Sequence, residues 1–106
     1  MPDGYLLTPG AQRDLRTIVE QGKRNWSPKR VDSYIAAIQA KVETLADFPE
    51  MGTQQSFLIG EVRTSFVGSH VIIYRGARPI EILAIAHHSS DWNEVAGSEA
   101  TRPEPG

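Results

Sequence analysis

The chain has 106 residues, no cysteine and a formal net charge of −2, from 11 basic and 13 acidic side chains. That length suits one domain, and the missing cysteines exclude a disulfide framework, a thiolate metal site and a thiol nucleophile. No apolar run approaches the roughly 20 residues that cross a bilayer, Met1-Pro2-Asp3-Gly4 has no signal-peptide character, and the near-neutral balance disfavours life on nucleic-acid phosphates. A cytoplasmic domain with no membrane partner is expected.

Tyr5-Leu6-Leu7 reads as a short strand. Thr8-Pro9 then opens a helix, because threonine caps and proline at the first helical position lacks an N–H that would be unpaired there. Ala11, Leu15, Ile18, Val19, Gly22 and Trp26 recur at steps of three and four along it. Ser27-Pro28 repeats the start signal. The second helix carries Val31, Tyr34, Ile35, Ile38, Val42 and Leu45 on one face and ends at Asp47-Phe48-Pro49. So short a link predicts an antiparallel helical hairpin. Glu50 to Gly60 reads as a loop, and three strands follow at Glu61 to Val67, His70 to Arg75 and Ile80 to His87. Gly68-Ser69 joins the first two as a two-residue turn. From Asn93 the chain is rich in Gly, Pro, Ser and Ala, so residues 1–92 are expected to form the domain and 93–106 a flexible tail. The fold class predicted is α+β: β-α-α-β-β-β, an antiparallel sheet packed on an α-helical hairpin.

Charge is unevenly spread. Residues 9–30 hold six basic and two acidic side chains, whereas residues 43–61 hold four acidic and no basic ones.

Alternation of strand side chains divides the sheet. A turn at Gly68-Ser69 sets Val67 opposite His70, Ser65 opposite Ile72 and Arg63 opposite Tyr74. Glu81, Leu83, Ile85 and His87 extend this first face. Val62, Thr64, Phe66, Val71, Ile73, Arg75, Ile80, Ile82, Ala84 and Ala86 make the second, nearly all apolar, which is the expected seat of the helical hairpin. The first face, apolar in the middle and polar at its rim, then reads as a partner surface unless the tail or the 50–60 loop covers it. Arg63, Val67, His70, Ile72, Tyr74, Leu83, Ile85 and His87 are its candidate partner-binding residues, and charging Ile72 or Leu83 should weaken binding.

No metal-ligand spacing links His70, His87 and His88, and there is no phosphate-cradling glycine loop or nucleophile elbow, so neither a metal nor a cofactor is expected. Arg63, His70, Tyr74 and His87 share a face and could hold a phosphate and shuttle a proton in RNA cleavage. The competing reading makes them a polar rim, with Arg63 paired to Glu81. It is favoured because a polyanion-cleaving enzyme needs a basic excess.

Leu7-Thr8-Pro9-Gly10-Ala11-Gln12-Arg13-Asp14-Leu15 resembles the opening of ParE-type toxins, and Trp26 with Tyr34-Ile35-Ala36-Ala37-Ile38 is similar to their second helix. Phe48-Pro49-Glu50-Met51-Gly52 resembles their helix exit. Arg63-Thr64-Ser65-Phe66-Val67-Gly68-Ser69-His70-Val71-Ile72-Ile73-Tyr74-Arg75 resembles their hairpin, and Ile80 to His87 followed by Asp91 their last strand. The resemblance covers residues 5–92 of the RelE/ParE superfamily pattern. It implies a bacterial type II toxin that inhibits DNA gyrase by binding, without its own catalysis. It also implies a ParD-like antitoxin partner, through which alone the toxin would meet operator DNA. The RelE branch instead cleaves mRNA on the ribosome with basic residues on the sheet face, a cluster this chain lacks; a non-toxic, antitoxin-binding regulatory subunit is a third reading. Ser89-Ser90 stands where the family pattern usually carries a basic pair.

Overall fold

The computed structural model describes residues 4–57 and 60–100. In chain order these form β1 (Tyr5–Leu7), α1 (Pro9–Asn25), α2 (Pro28–Asp47), a 3-10 turn (Pro49–Met51), β2 (Thr53–Phe57), β3 (Gly60–Val67), β4 (His70–Gly76), β5 (Ile80–His87) and α3 (Trp92–Ala100). Both predicted caps are present. The Thr8 side chain accepts from the Ala11 N–H and that of Ser27 from the Arg30 N–H, and proline follows each.

The sheet runs β1-β5-β4-β3-β2. β2 to β5 form an antiparallel meander, whereas β1 lies parallel to β5, so the predicted α+β fold is built on a mixed sheet. The β3–β4 register is the one the two-residue turn dictates, with Val67 opposite His70, Ser65 opposite Ile72 and Arg63 opposite Tyr74. Gly68 has φ +55°, and a Cβ on it would lie 2.5 Å from the Tyr34 ring, so both the turn and the packing above it require glycine. β2 takes up five residues of the expected 50–60 loop, Thr53 to Phe57. Its Thr53-Gln54-Gln55-Ser56 has no apolar alternation, because this edge strand is held by backbone pairing to β3 rather than by burial of side chains.

The two sheet faces carry different covers from those expected. The hairpin buries Ile72, Tyr74, Ile80, Ile82 and Ile85 under Ala11, Ile18, Ile38, Val42 and Leu45, with Val67 packed alongside. It therefore sits on the face assigned to a partner. The opposite face, with Val62, Ile73, Leu83 and Ala84, is covered by Ala96 and Val95 of α3. Residues 93–100, expected to be flexible, are thus helical, and Ala96 is fully buried; residues 101–106 of the expected tail lie outside the described residues.

An irregularity in β5 redistributes its side chains. Ile72 pairs with Ile85 and Ile73 with Ala84, but Tyr74 pairs with Ile82, leaving Leu83 as the extra residue. Such a bulge changes the parity of a strand. Ile80 and Ile82 thereby join the hairpin face, while Leu83 joins the α3 face and Glu81 comes opposite Arg75.

Candidate partner-binding site

The polar groups of the β3–β4 hairpin tie the helical hairpin to the sheet at both of its ends. At the α2 exit, the Tyr74 hydroxyl donates to the Pro49 carbonyl at 2.7 Å and accepts the Gly52 N–H at 2.9 Å. Burial pushes the Tyr74 pKa up, against the opposing pull of the Gly52 N–H and the Arg63 charge. Arg63, directly opposite Tyr74, donates to the Gly52 carbonyl at 2.9 Å and the Glu50 carbonyl at 3.3 Å. A Cβ on Gly52 would collide with the Tyr74 hydroxyl, so the turn can approach the ring only with glycine there. Arg63 is therefore not the partner of Glu81; that ion pair belongs to Arg75, at 2.8 Å.

At the other end, the Tyr34 hydroxyl accepts the Ser69 N–H at 2.9 Å and lies 2.6 Å from His70 Nδ1. Burial holds His70 below its ordinary pKa, with His87 and His88 adding to the effect. With Nδ1 unprotonated, a neutral His70 accepts a hydrogen bond from the Tyr34 hydroxyl, whose oxygen in turn accepts from the Ser69 N–H. The rings continue outward: His70 meets His87 edge-on at 5.2 Å, and His87 stacks on His88 at 4.8 Å. His87 Nδ1 is 2.6 Å from Ser89 Oγ, and the His88 N–H donates to the Ser69 carbonyl at 2.8 Å.

A third set of ties joins α1 to β5 beyond the short β1. The Thr8 hydroxyl donates to the Ile82 carbonyl at 2.9 Å, and Asp14 Oδ2 accepts the Ile85 N–H at 2.8 Å. These side chains stand in for the strand that β1 is too short to supply. Desolvation raises the Asp14 pKa, partly offset by that N–H and by Arg13.

Of the expected site residues, Ile72 and Tyr74 are fully buried, Ile85 and Leu83 are 3% and 2% exposed, and His70 is 8% exposed. Val67 is half-buried against the hairpin core, Arg63 is committed to backbone carbonyls, and His87 alone is open to solvent. The expected quartet Arg63, His70, Tyr74 and His87 is split. Arg63 and Tyr74 hold one end of the hairpin, and His70 and His87 lie at the other. No trio of ligating groups is placed to hold a metal ion among the described residues.

Apart from the exposed Leu6, Phe48, Met51 and Phe66, half-buried apolar side chains line a groove on the helices. A cavity of about 280 Å³ opens between β1 and the hairpin, lined by Tyr5, Leu7, Leu15, Ile35, Val42 and Ile85 among others. A second, of about 220 Å³, adjoins it through Leu15 and Ile35 and adds Arg16, Val19 and Glu20. The sequence carried a signal for this groove: with Leu15, Val19 and Ile35 included, the apolar stripes are wider than one sheet-facing contact needs.

The fold and these features define a small α+β protein with an apolar groove between β1 and the helical hairpin. Residues 5–92 match the family described as the ParE toxin of type II toxin-antitoxin system, parDE, and the chain belongs to that family. It is 32% identical over 85 residues to toxin ParE1 of Caulobacter vibrioides, covering 80% of this chain and 88% of the relative. Toxin ParE of Escherichia coli is 29% identical over 89 residues, covering 82% and 86%. Among solved structures, a chain of the chromosomal ParDE system from P. aeruginosa superposes with a TM-score of 0.66 at 23% identity, covering 79% of this chain and 94% of that one, a likeness of fold. The family match stops where α3 begins. A toxin of a toxin–antitoxin system implies an antitoxin partner. No described helix is long and apolar enough to cross a membrane.

Proposed function

We propose that this chain is a cytoplasmic toxin that inhibits DNA gyrase by binding and is held inactive by a ParD-like antitoxin seated in the apolar groove of the helical hairpin. The observation that carries the binding mode is the fate of the polar motif residues. Arg63, Tyr74 and His70 are occupied in fixing backbone and helix, which breaks up the quartet they form with His87 as an acid–base set for RNA cleavage. The adjoining cavities at Leu15 and Ile35 offer the anchors that an amphipathic helix needs. Recognition of the operator sequence then belongs to the antitoxin.

Induction of the chain without antitoxin tests the target: DNA breaks and filamentation are expected. Cut transcripts with arrested translation would establish a RelE-like nuclease instead, and normal growth with retained complex formation a regulatory subunit. Calorimetry tests the groove. Ile35→Asp, at a half-buried helix position, should weaken antitoxin affinity at least about ten-fold by charging an anchor site, and unchanged affinity in a folded variant would remove the groove from the proposal.

A further inference from the structure

The link between α1 and α2 carries Lys23, Arg24, Lys29 and Arg30 with no acidic residue from 23 to 30. All four side chains are exposed, and none forms an ion pair among the described residues. Lys29 and Arg30 stand in the first turn of α2, which holds no acidic side chain, although a helix N-terminus favours anions. Lys23 and Arg24 suit the last turn of α1, but Lys29 and Arg30 work against α2, so local stability does not account for that pair.

The surroundings fix this tip in place. The Arg30 guanidinium lies 4.7 Å from the centre of the Trp26 ring, Trp26 meets Tyr34 edge-on at 5.2 Å, and Tyr34 binds the β3–β4 turn. Between tip and sheet end lies a cleft of about 140 Å³ whose lining includes Gln21, Asn25, Ser69 and His87. The basic link and the last strand's end, far apart in sequence, thus form one surface with both cations and neutral hydrogen-bonding groups.

We propose that this surface grips the phosphate backbone of a nucleic acid. The chain's net charge of −2 does not oppose it, because residues 20–32 still hold four basic side chains against two acidic ones, Glu20 and Asp32. The acidic groups Asp47 and Glu50 lie at and just past the far end of α2, whose 20 residues span about 30 Å. That is several times the Debye length of about 8 Å at physiological salt, so a phosphate at the tip scarcely feels them. The proposal is independent of which target the toxin attacks.

Fluorescence anisotropy of a labelled DNA duplex of about 20 base pairs, titrated with the full chain, tests it. Four phosphate contacts give a log–log salt slope near −3.6, hence a loss of about 100-fold in affinity between 50 and 200 mM salt. Lys29→Gln with Arg30→Gln should halve that slope. Lys23→Gln with Arg24→Gln should do the same without touching the Trp26 contact, and Arg78→Gln, at the opposite end of β4, should leave it unchanged. Circular dichroism of each variant establishes that it is folded. Absence of duplex binding at 50 mM salt, or a slope indifferent to both tip variants, would overturn the proposal. So would equal binding of a polyglutamate peptide with the same dependence on the tip, which would assign the surface to an acidic protein.

Discussion

The two faces of the sheet are both apolar, yet they are covered in different ways. The hairpin face joins a large aliphatic core to hydrogen bonds from Thr8, Asp14, Tyr34, Arg63 and Tyr74, each of which ties a side chain to backbone of another element. The α3 face has a smaller cluster, in which Ala96 is fully buried and Trp92 packs edge-on against the half-exposed Phe66 at 5.5 Å. The family match covers the first arrangement and ends before the second cover. Motif residues here mark the joints of the fold. Residues open to a partner must be sought where the joints leave the helices bare.

The difference can be broken from either side. Ile72→Asp places a carboxylate at a fully buried position in the hairpin core and should cost at least about 4 kcal/mol, enough to unfold a small domain. Denaturant unfolding measures it, and the same variant would have tested partner binding had this face been open. Tyr74→Phe removes the donor to Pro49 and leaves the Gly52 N–H without its acceptor, for a loss of about 2 kcal/mol by the same measurement.

Ala96→Asp acts on the other face. It should detach α3 at a cost of no more than about 2 kcal/mol, because release of a short helix caps the loss. Hydrogen exchange should quicken at residues 92–100 and leave α1 and α2 protected. Asp14→Ala should cost about 1 kcal/mol by orphaning the Ile85 N–H, while Asp14→Asn keeps an acceptor and loses little. Because burial raises the Asp14 pKa, the ionised form is the less favoured one in the fold, so any advantage of asparagine should grow as pH rises through that raised pKa.

The smallest effect is a pH dependence. His70 has a folded pKa below 6.5, so the unfolded chain binds the proton more readily. Its contribution to stability is complete above pH 6.5 and is lost as pH falls through the folded value. Unfolding free energies measured from pH 8 to 5 should show a decline that His70→Gln flattens.

Much of this was legible in the residues. Thr8-Pro9 and Ser27-Pro28 announced their helices, the period of three and four gave both apolar stripes, and Gly68-Ser69 set the β3–β4 register residue by residue. The misplaced site has two physical causes. Ile72, Leu83 and Ile85 were assigned to an open face because a mixed face looked less buried than a wholly apolar one, yet its polar members, Tyr74, His70 and Arg63, each find a hydrogen-bonding partner within the fold. The tail, poor in large aliphatics, still forms a helix, since Ala96 and Val95 need only a small apolar patch to cover.

By itself the sequence determined the order and boundaries of most elements, the hairpin pairing and the family, because those depend on local periodicity, turn chemistry and motif spacing. Tertiary structure alone decided which face each helix covers. Alternation says which side chains point the same way, but when both faces are apolar it does not say which one receives the hairpin. The bulge at Leu83 then shifted parity within β5, so no uniform alternation could place Ile82, Leu83 and Ile85 together correctly. The total charge was likewise fixed by composition, while the distance of the basic tip from Asp47 and Glu50 became a physical property only once α2 held them apart.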